Sequence, residues 1–138
     1  MRKISFANES HIGSVRSENQ DSFGKFPEGN VDLNCPGGQL FVIADGMGGQ
    51  NAGREASTIA VREIGATYYA GTDPSVVGNL RRAFSAANEA IYRKRAKEAA
   101  EIAEKMPTSQ DRAAWLKVAV EWLKLAEAAQ EKKKSKTI

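Results

Sequence analysis

The chain has 138 residues, of which 41% are hydrophobic, and its formal net charge is +3. This length allows one domain of ordinary size. No apolar run approaches the ~20 residues of a membrane-spanning helix, so we expect no membrane association. Because the charge is modest and no basic stripe with interleaved aromatics is present, nucleic acid is not an expected partner.

The cysteine content and the first residues bear on the compartment. The single cysteine, Cys35, cannot form an intramolecular disulfide. Residues 1–8 are too polar for the apolar core of a secretory signal. We therefore expect a cytoplasmic protein.

Short strands are predicted in the first third of the chain. Residues 3–26 are interpreted as strand, turn and strand, with Ile4 and Phe6 in the first strand and residues 22–26 in the second. A loop rich in glycine, proline and asparagine follows over residues 27–38. The apolar run over residues 40–44 predicts a strand that is buried on both faces.

From residue 51 the hydrophobic period becomes helical. The first helix is predicted to pack closely on a sheet through a face of mostly small residues: Ala52, Ala56, Ile59, Ala60 and Ile64. Asp73 and Pro74 predict the N-cap and the first position of a second helix. Its predicted buried stripe consists of Val76, Leu80, Phe84, Ala87 and Ile91.

Two more helical segments are predicted towards the carboxyl end. Residues 96–105 are strong helix formers with charge pairs, and residues 106–109 break the chain before a helix over residues 111–132. Trp115 and Trp122 share one face of that last helix, which favours packing over a ligand site. We therefore divide the chain into residues 1–95 and a helical tail, residues 96–138, with a basic and solvated end.

The candidate chemistry begins where the apolar run of residues 40–44 ends. Asp45 follows the run directly, and the next residues include Gly46, Gly48 and Gly49. An aspartate at the tip of a rigid strand suits a metal ligand, and glycines allow a close approach of the backbone.

A second polar motif precedes the first by about twenty residues. Residues 15–23 read Val-Arg-Ser-Glu-Asn-Gln-Asp-Ser-Phe, and they supply Arg16 and Asp21. The two motifs and their spacing resemble the start of the bacterial metal-dependent protein serine/threonine phosphatases of type 2C (the PPM family). The resemblance covers about residues 4–95.

The resemblance implies the hydrolysis of phosphoserine and phosphothreonine proteins with two Mg²⁺ or Mn²⁺ ions. It matches Asp45 to the metal-bridging aspartate and Gly46 to a glycine whose carbonyl binds metal. Asp21 matches a carboxylate that binds metal directly or through its water, and Arg16 matches an arginine that grips the substrate phosphate. Gln20 stands where some members have a glutamate ligand.

The later aspartates that complete the family's metal site have no counterpart here. Asp-Gly occurs only at residues 45–46, and the acidic residues beyond Glu63 are interpreted as helix caps or solvated helix faces. Because Mg²⁺ keeps its waters unless several carboxylates converge, we expect one weak Mg²⁺ or Mn²⁺ site. The only histidine, His11, is interpreted as a solvated loop residue without a catalytic role.

The resemblance implies an α+β fold: a partial antiparallel β-sandwich flanked by helices, followed here by a C-terminal helical hairpin. Half a sandwich leaves an apolar sheet face uncovered. The tail, a second copy of the chain or a complementing chain could cover it. If the tail does so, its covering residues would be Trp115, Val118, Trp122 and Leu125.

Three functional hypotheses follow. The first is a truncated phosphatase that is inactive alone. The second is an active phosphatase completed by a partner chain or by self-association. The third is a binding or regulatory module that keeps the phosphatase-like surface without catalysis.

Overall fold

The computed structural model describes residues 6–14, 18–29, 35–48 and 51–134. Two strands, β1 (Ser22–Phe26) and β2 (Leu40–Ala44), precede three helices, α1 (Ala52–Tyr69), α2 (Val76–Lys105) and α3 (Ser109–Lys134). The α+β class is confirmed, and the sheet within the described residues has two strands. Of the predicted first strand, residues 3–5 lie outside the described residues and Phe6 is not in a strand.

The two strands form an antiparallel ladder in which Ser22 pairs with Ala44 and Phe26 with Leu40. Val42 faces α1 and belongs to the core, together with Val61 and Ile64 of that helix. The prediction that β2 is buried on both faces is wrong, because Ile43 is 84% exposed. Because successive side chains of a strand point to opposite faces, every second side chain of β1 and β2 lies on the open side of the sheet.

We call this open side the outer face. Its exposed apolar residues are Phe23 on β1, Phe41 and Ile43 on β2, and Phe6, whose ring lies 4.6 Å from that of Phe41 between centroids. Contiguous exposed apolar side chains of this kind mark surfaces that associate with something else.

Helix α1 lies close to the sheet because its contact face carries small residues. The buried positions follow the helical period through Gly53, Ser57, Val61, Ile64, Gly65 and Tyr68. A Cβ atom at Gly65 would collide with the ring of Phe26. The predicted face is therefore correct in character, although its register is shifted around the helix.

Helix α2 begins later than predicted. Ser75 is the N-cap, and its hydroxyl accepts a hydrogen bond from the Gly78 N–H, whereas Asp73 accepts one from the Ser75 N–H. Of the predicted stripe, Val76 and Phe84 are exposed, whereas Ala87 is buried and Leu80 packs against the core. The helix also buries Ala83 and Ala86. Residue 95, the predicted boundary, lies inside this helix, which runs without a break to Lys105.

Helix α3 folds back along α2. Alanines from both helices are buried, with Ala96, Ala99 and Ala103 on α2 and Ala119, Ala126 and Ala129 on α3. Tyr92 and Trp122 stack with ring centroids 5.8 Å apart. Within the described residues α3 contacts α2 alone, so the expectation that the tail covers the sheet is wrong. None of the helices in this described part is long and apolar enough to cross a membrane.

Candidate functional site

The two predicted carboxylates meet at one end of the β-hairpin. Asp21 and Asp45 each come one residue beyond the last ladder pair, Ser22 with Ala44. Alternation along the strands assigns both aspartates to the outer face, beside Phe23 and Ile43. Asp45 is exposed and Asp21 is half-buried.

Asp21 is held by a short polar network. The Ser10 hydroxyl donates to Asp21 Oδ2 at 3.2 Å, and Asn19 Nδ2 donates to the Ser10 hydroxyl at 2.7 Å. The Asp21 N–H in turn donates to Asn19 Oδ1 at 3.0 Å. Among the described residues no cation pairs with this carboxylate, and a carboxylate has more acceptor sites than the single hydroxyl bond uses.

Gly46 is buried where the loop after β2 passes between two other backbone segments. A Cβ atom there would collide with the carbonyl oxygens of Gln20 and Gly53. Only glycine allows this close approach. The predicted carbonyl ligand is therefore packed tightly between the first motif and the start of α1.

Gln20 connects the two motifs. Its side-chain Nε2 donates to the Gly48 carbonyl oxygen at 3.2 Å. Its main-chain carbonyl oxygen accepts from the Ser57 hydroxyl at 2.6 Å. Ser57 is 3% exposed. At the sequence level Gln20 stood out only as the counterpart of a glutamate ligand, and Ser57 carried no signal beyond its helical position.

Charged residues of α2 join the first turn of α1 close to this loop. Arg95 donates to the Ala52 carbonyl oxygen at 2.7 Å and pairs with Glu98. Lys94 pairs with Glu55 at 2.9 Å, and its hydrogen bond lowers the pKa of the Glu55 carboxyl. The same contact raises the pKa of Lys94. Sequence patterns did not identify these links, because they join segments about 40 residues apart.

Two carboxylates and one carbonyl are a small donor set for a hard divalent cation. Asp21, Asp45 and the Gly46 carbonyl are oxygen donors of the type that Mg²⁺ and Mn²⁺ prefer. Among the described residues, however, no group of three or more histidine, cysteine, aspartate or glutamate side chains could hold a metal ion. Arg16, the predicted phosphate ligand, lies outside the described residues.

An open groove of about 820 Å³ runs along β1 from Asp21 towards Glu28. Its walls come from α1 and from residues 6–10, and they carry three cationic side chains: Lys25, Arg54 and Arg62. Arg54 pairs with Glu18, and Arg62 with Glu63. His11 is exposed and accepts from the Gly13 N–H at 2.9 Å, in agreement with its interpretation as a loop residue.

Comparison with known proteins gives one partial similarity. A protein of Streptococcus pyogenes serotype M6 (strain ATCC BAA-946 / MGAS10394), described as "Putative protein phosphatase 2C-type", is 44% identical over 54 residues. The match covers 39% of this chain and 20% of the relative, so the chain spans about a fifth of that protein. No family model matches the chain, and no solved structure matches it significantly.

Proposed function

We propose that the chain carries the first metal-binding motifs of a type 2C phosphatase-like domain and does not hydrolyse phosphoproteins on its own. The observation that supports this is the meeting of Asp21, Asp45 and Gly46 at one end of the hairpin. The partial similarity to the streptococcal protein supports the same class. In this proposal the hairpin is the start of a β-sandwich, and phosphoserine or phosphothreonine proteins are the substrates of the completed domain.

The metal would be Mg²⁺ or Mn²⁺, held by the two carboxylates and the Gly46 carbonyl, with Arg16 as the phosphate ligand. A metal supplies charge neutralisation and an activated water in such reactions. This chain's own residues supply a fixed carboxylate pair and a glycine loop that lets the backbone approach. The ligands that a second ion requires would come from outside this chain. The proposed location is the cytoplasm.

The first prediction concerns metal binding. Mn²⁺ should bind weakly and at a single site, because two carboxylates displace few of the ion's waters. Titration calorimetry and paramagnetic broadening of amide signals can measure this. Asp45→Ala should abolish the binding, whereas His11→Ala, at an exposed loop position, should leave it unchanged. Two tight sites would contradict the proposal.

The second prediction concerns turnover. The purified chain should show no Mn²⁺-dependent hydrolysis of p-nitrophenyl phosphate or of a phosphothreonine peptide above background. Two divalent ions about 4 Å apart need several carboxylates to offset their repulsion, and Asp21 with Asp45 are too few. Turnover that disappears in Asp45→Asn would refute inactivity and favour completion by self-association.

A second candidate function has one specific observation in its favour. The outer face is uncovered and apolar, and it carries Asp21 and Asp45 at its end. A complementing chain that packed on Phe23 and Ile43 would therefore lie next to both carboxylates and could add the missing ligands. Activity that appears only when such a chain is added would support this candidate over a binding or regulatory module.

A further inference from the structure

We propose that Gln20 is the positioning residue of this site: its carboxamide holds the loop after Asp45 against α1, and Gln20 is not itself a metal ligand. The metal part of this inference rests on the proposed function, whereas the contacts that carry it do not. Gln20 reaches the loop through Nε2 and the Gly48 carbonyl oxygen, 3.2 Å apart. Its Oε1 lies against Gly53 at the start of α1. Its main-chain carbonyl oxygen, which a substitution at position 20 would leave in place, also accepts a hydrogen bond from the Ser57 hydroxyl at 2.6 Å.

Two glycines allow main-chain segments to approach Gln20 closely. A Cβ atom at Gly53 would collide with Gln20 Oε1 and would lie 3.0 Å from the main-chain carbon of Met47. A Cβ atom at Gly46 would collide with the Gln20 carbonyl oxygen. Two glycines, one in the loop and one in the first turn of α1, are therefore in contact with the same residue from two sides.

The chemistry of the contact calls for an amide. The Gly48 carbonyl oxygen is an acceptor, so its partner must bring an N–H or O–H donor. A glutamate at position 20 would place an ionised carboxylate, which only accepts, against this carbonyl oxygen. The carboxamide thus supplies the N–H donor that the Gly48 carbonyl oxygen requires, and a carboxylate would not. This difference distinguishes a positioning role from a ligand role.

The test compares Gln20→Met and Gln20→Glu with the original chain. Methionine keeps the length of the side chain and removes the hydrogen bond. Both variants should raise the mobility of Met47 and Gly48, measured by ¹⁵N relaxation of their amides, because the Gly48 carbonyl oxygen loses the Nε2 donor. Mn²⁺ binding, measured by paramagnetic broadening of the Asp45 and Gly46 signals, should weaken in Gln20→Met and should not tighten in Gln20→Glu.

Gln110→Met on exposed α3 is the matched control and should change neither measurement. Gly53→Ala is a second route to the same state, because its methyl group displaces the carboxamide while alanine favours the helix. It should loosen the loop even if the Gln20 variants fold poorly, and exchange along α2 reports on the fold as a whole.

Two results would overturn the assignment. One is Mn²⁺ binding at least tenfold tighter in Gln20→Glu, which would make position 20 a ligand position. The other is unchanged mobility of Met47 and Gly48 in Gln20→Met and Gly53→Ala. Asp45→Asn separates this inference from the proposed function: it should remove Mn²⁺ binding and leave the mobility of the loop unaltered. If Asp45→Asn still binds Mn²⁺, the proposed function is refuted, whereas the loop measurements still test the positioning role of Gln20.

Discussion

Gly46→Ala is expected to lower the free energy of unfolding by about 3 kcal/mol or more, the upper range for overpacking a tight site. The added methyl group would overlap the carbonyl oxygens of Gln20 and Gly53 and the carbonyl carbon of Gly53. All three are main-chain atoms, so no side-chain rotation can relieve the overlap. The loop after β2 would have to leave α1, and the carbonyl at position 46 would move with it.

Denaturant unfolding followed by circular dichroism measures this effect. Gly29→Ala is a suitable control, because that glycine has a φ of 86° but open space around its Cβ position. This control should lower the free energy of unfolding by only about 1 kcal/mol, because alanine would have to adopt the left-handed backbone conformation. Equal costs for the two variants would show that the close approach at Gly46 is not a tight contact in solution.

Deletion of residues 106–138 is expected to unravel the second half of α2 while the hairpin, α1 and the start of α2 stay folded. Helix α3 covers Ala96, Ala99 and Ala103, and its deletion also removes the stack of Trp122 on Tyr92. An isolated helical segment of that length is marginal in water. The main core, by contrast, consists of residues from β2, α1 and the first half of α2, including Val42, Ile64 and Ala83.

Circular dichroism should therefore show a loss of helix greater than the 26 residues of α3, and amide exchange should show protection kept in α1. Trp122→Ala is the matched control, because it removes the aromatic stack but keeps α3. It should lower the melting temperature by less than the deletion does. Complete unfolding of the deleted chain would mean that α3 supports the sheet as well, and an unchanged melting temperature would mean that α3 adds no stability.

The local parts of the fold could be predicted from the sequence, and the long-range parts could not. The strands at residues 22–26 and 40–44 were predicted, because a loop rich in glycine, proline and asparagine separates them and the second strand is a short apolar run. The sequence of β2 did not reveal its open side. A continuous apolar run is typical of a strand buried on both faces, and Ile43 is exposed only because the described residues provide nothing to cover it.

The helical region shows the same limit. Residues 79–105 contain neither glycine nor proline, so nothing local ends α2 at residue 95, where the resemblance ends. The sequence could single out Asp21, Asp45 and Gly46 as candidates, through the family resemblance and the preference of divalent cations for oxygen ligands, and their metal binding stays a prediction. Gln20, Ser57 and Arg95 were missed as site residues, because their roles depend on segments that meet only in the folded chain.

Under the proposed function, the nearness of the two carboxylates to the apolar outer face would tie association to metal binding. A chain that packed on Phe23, Phe41 and Ile43 and added even one ligand beside Asp45 would bind more tightly in the presence of Mn²⁺. By thermodynamic reciprocity, Mn²⁺ affinity would rise by the same factor when that chain is bound. The ion would then act as a cohesive element between two polypeptides, and its concentration would set how much of the complex exists.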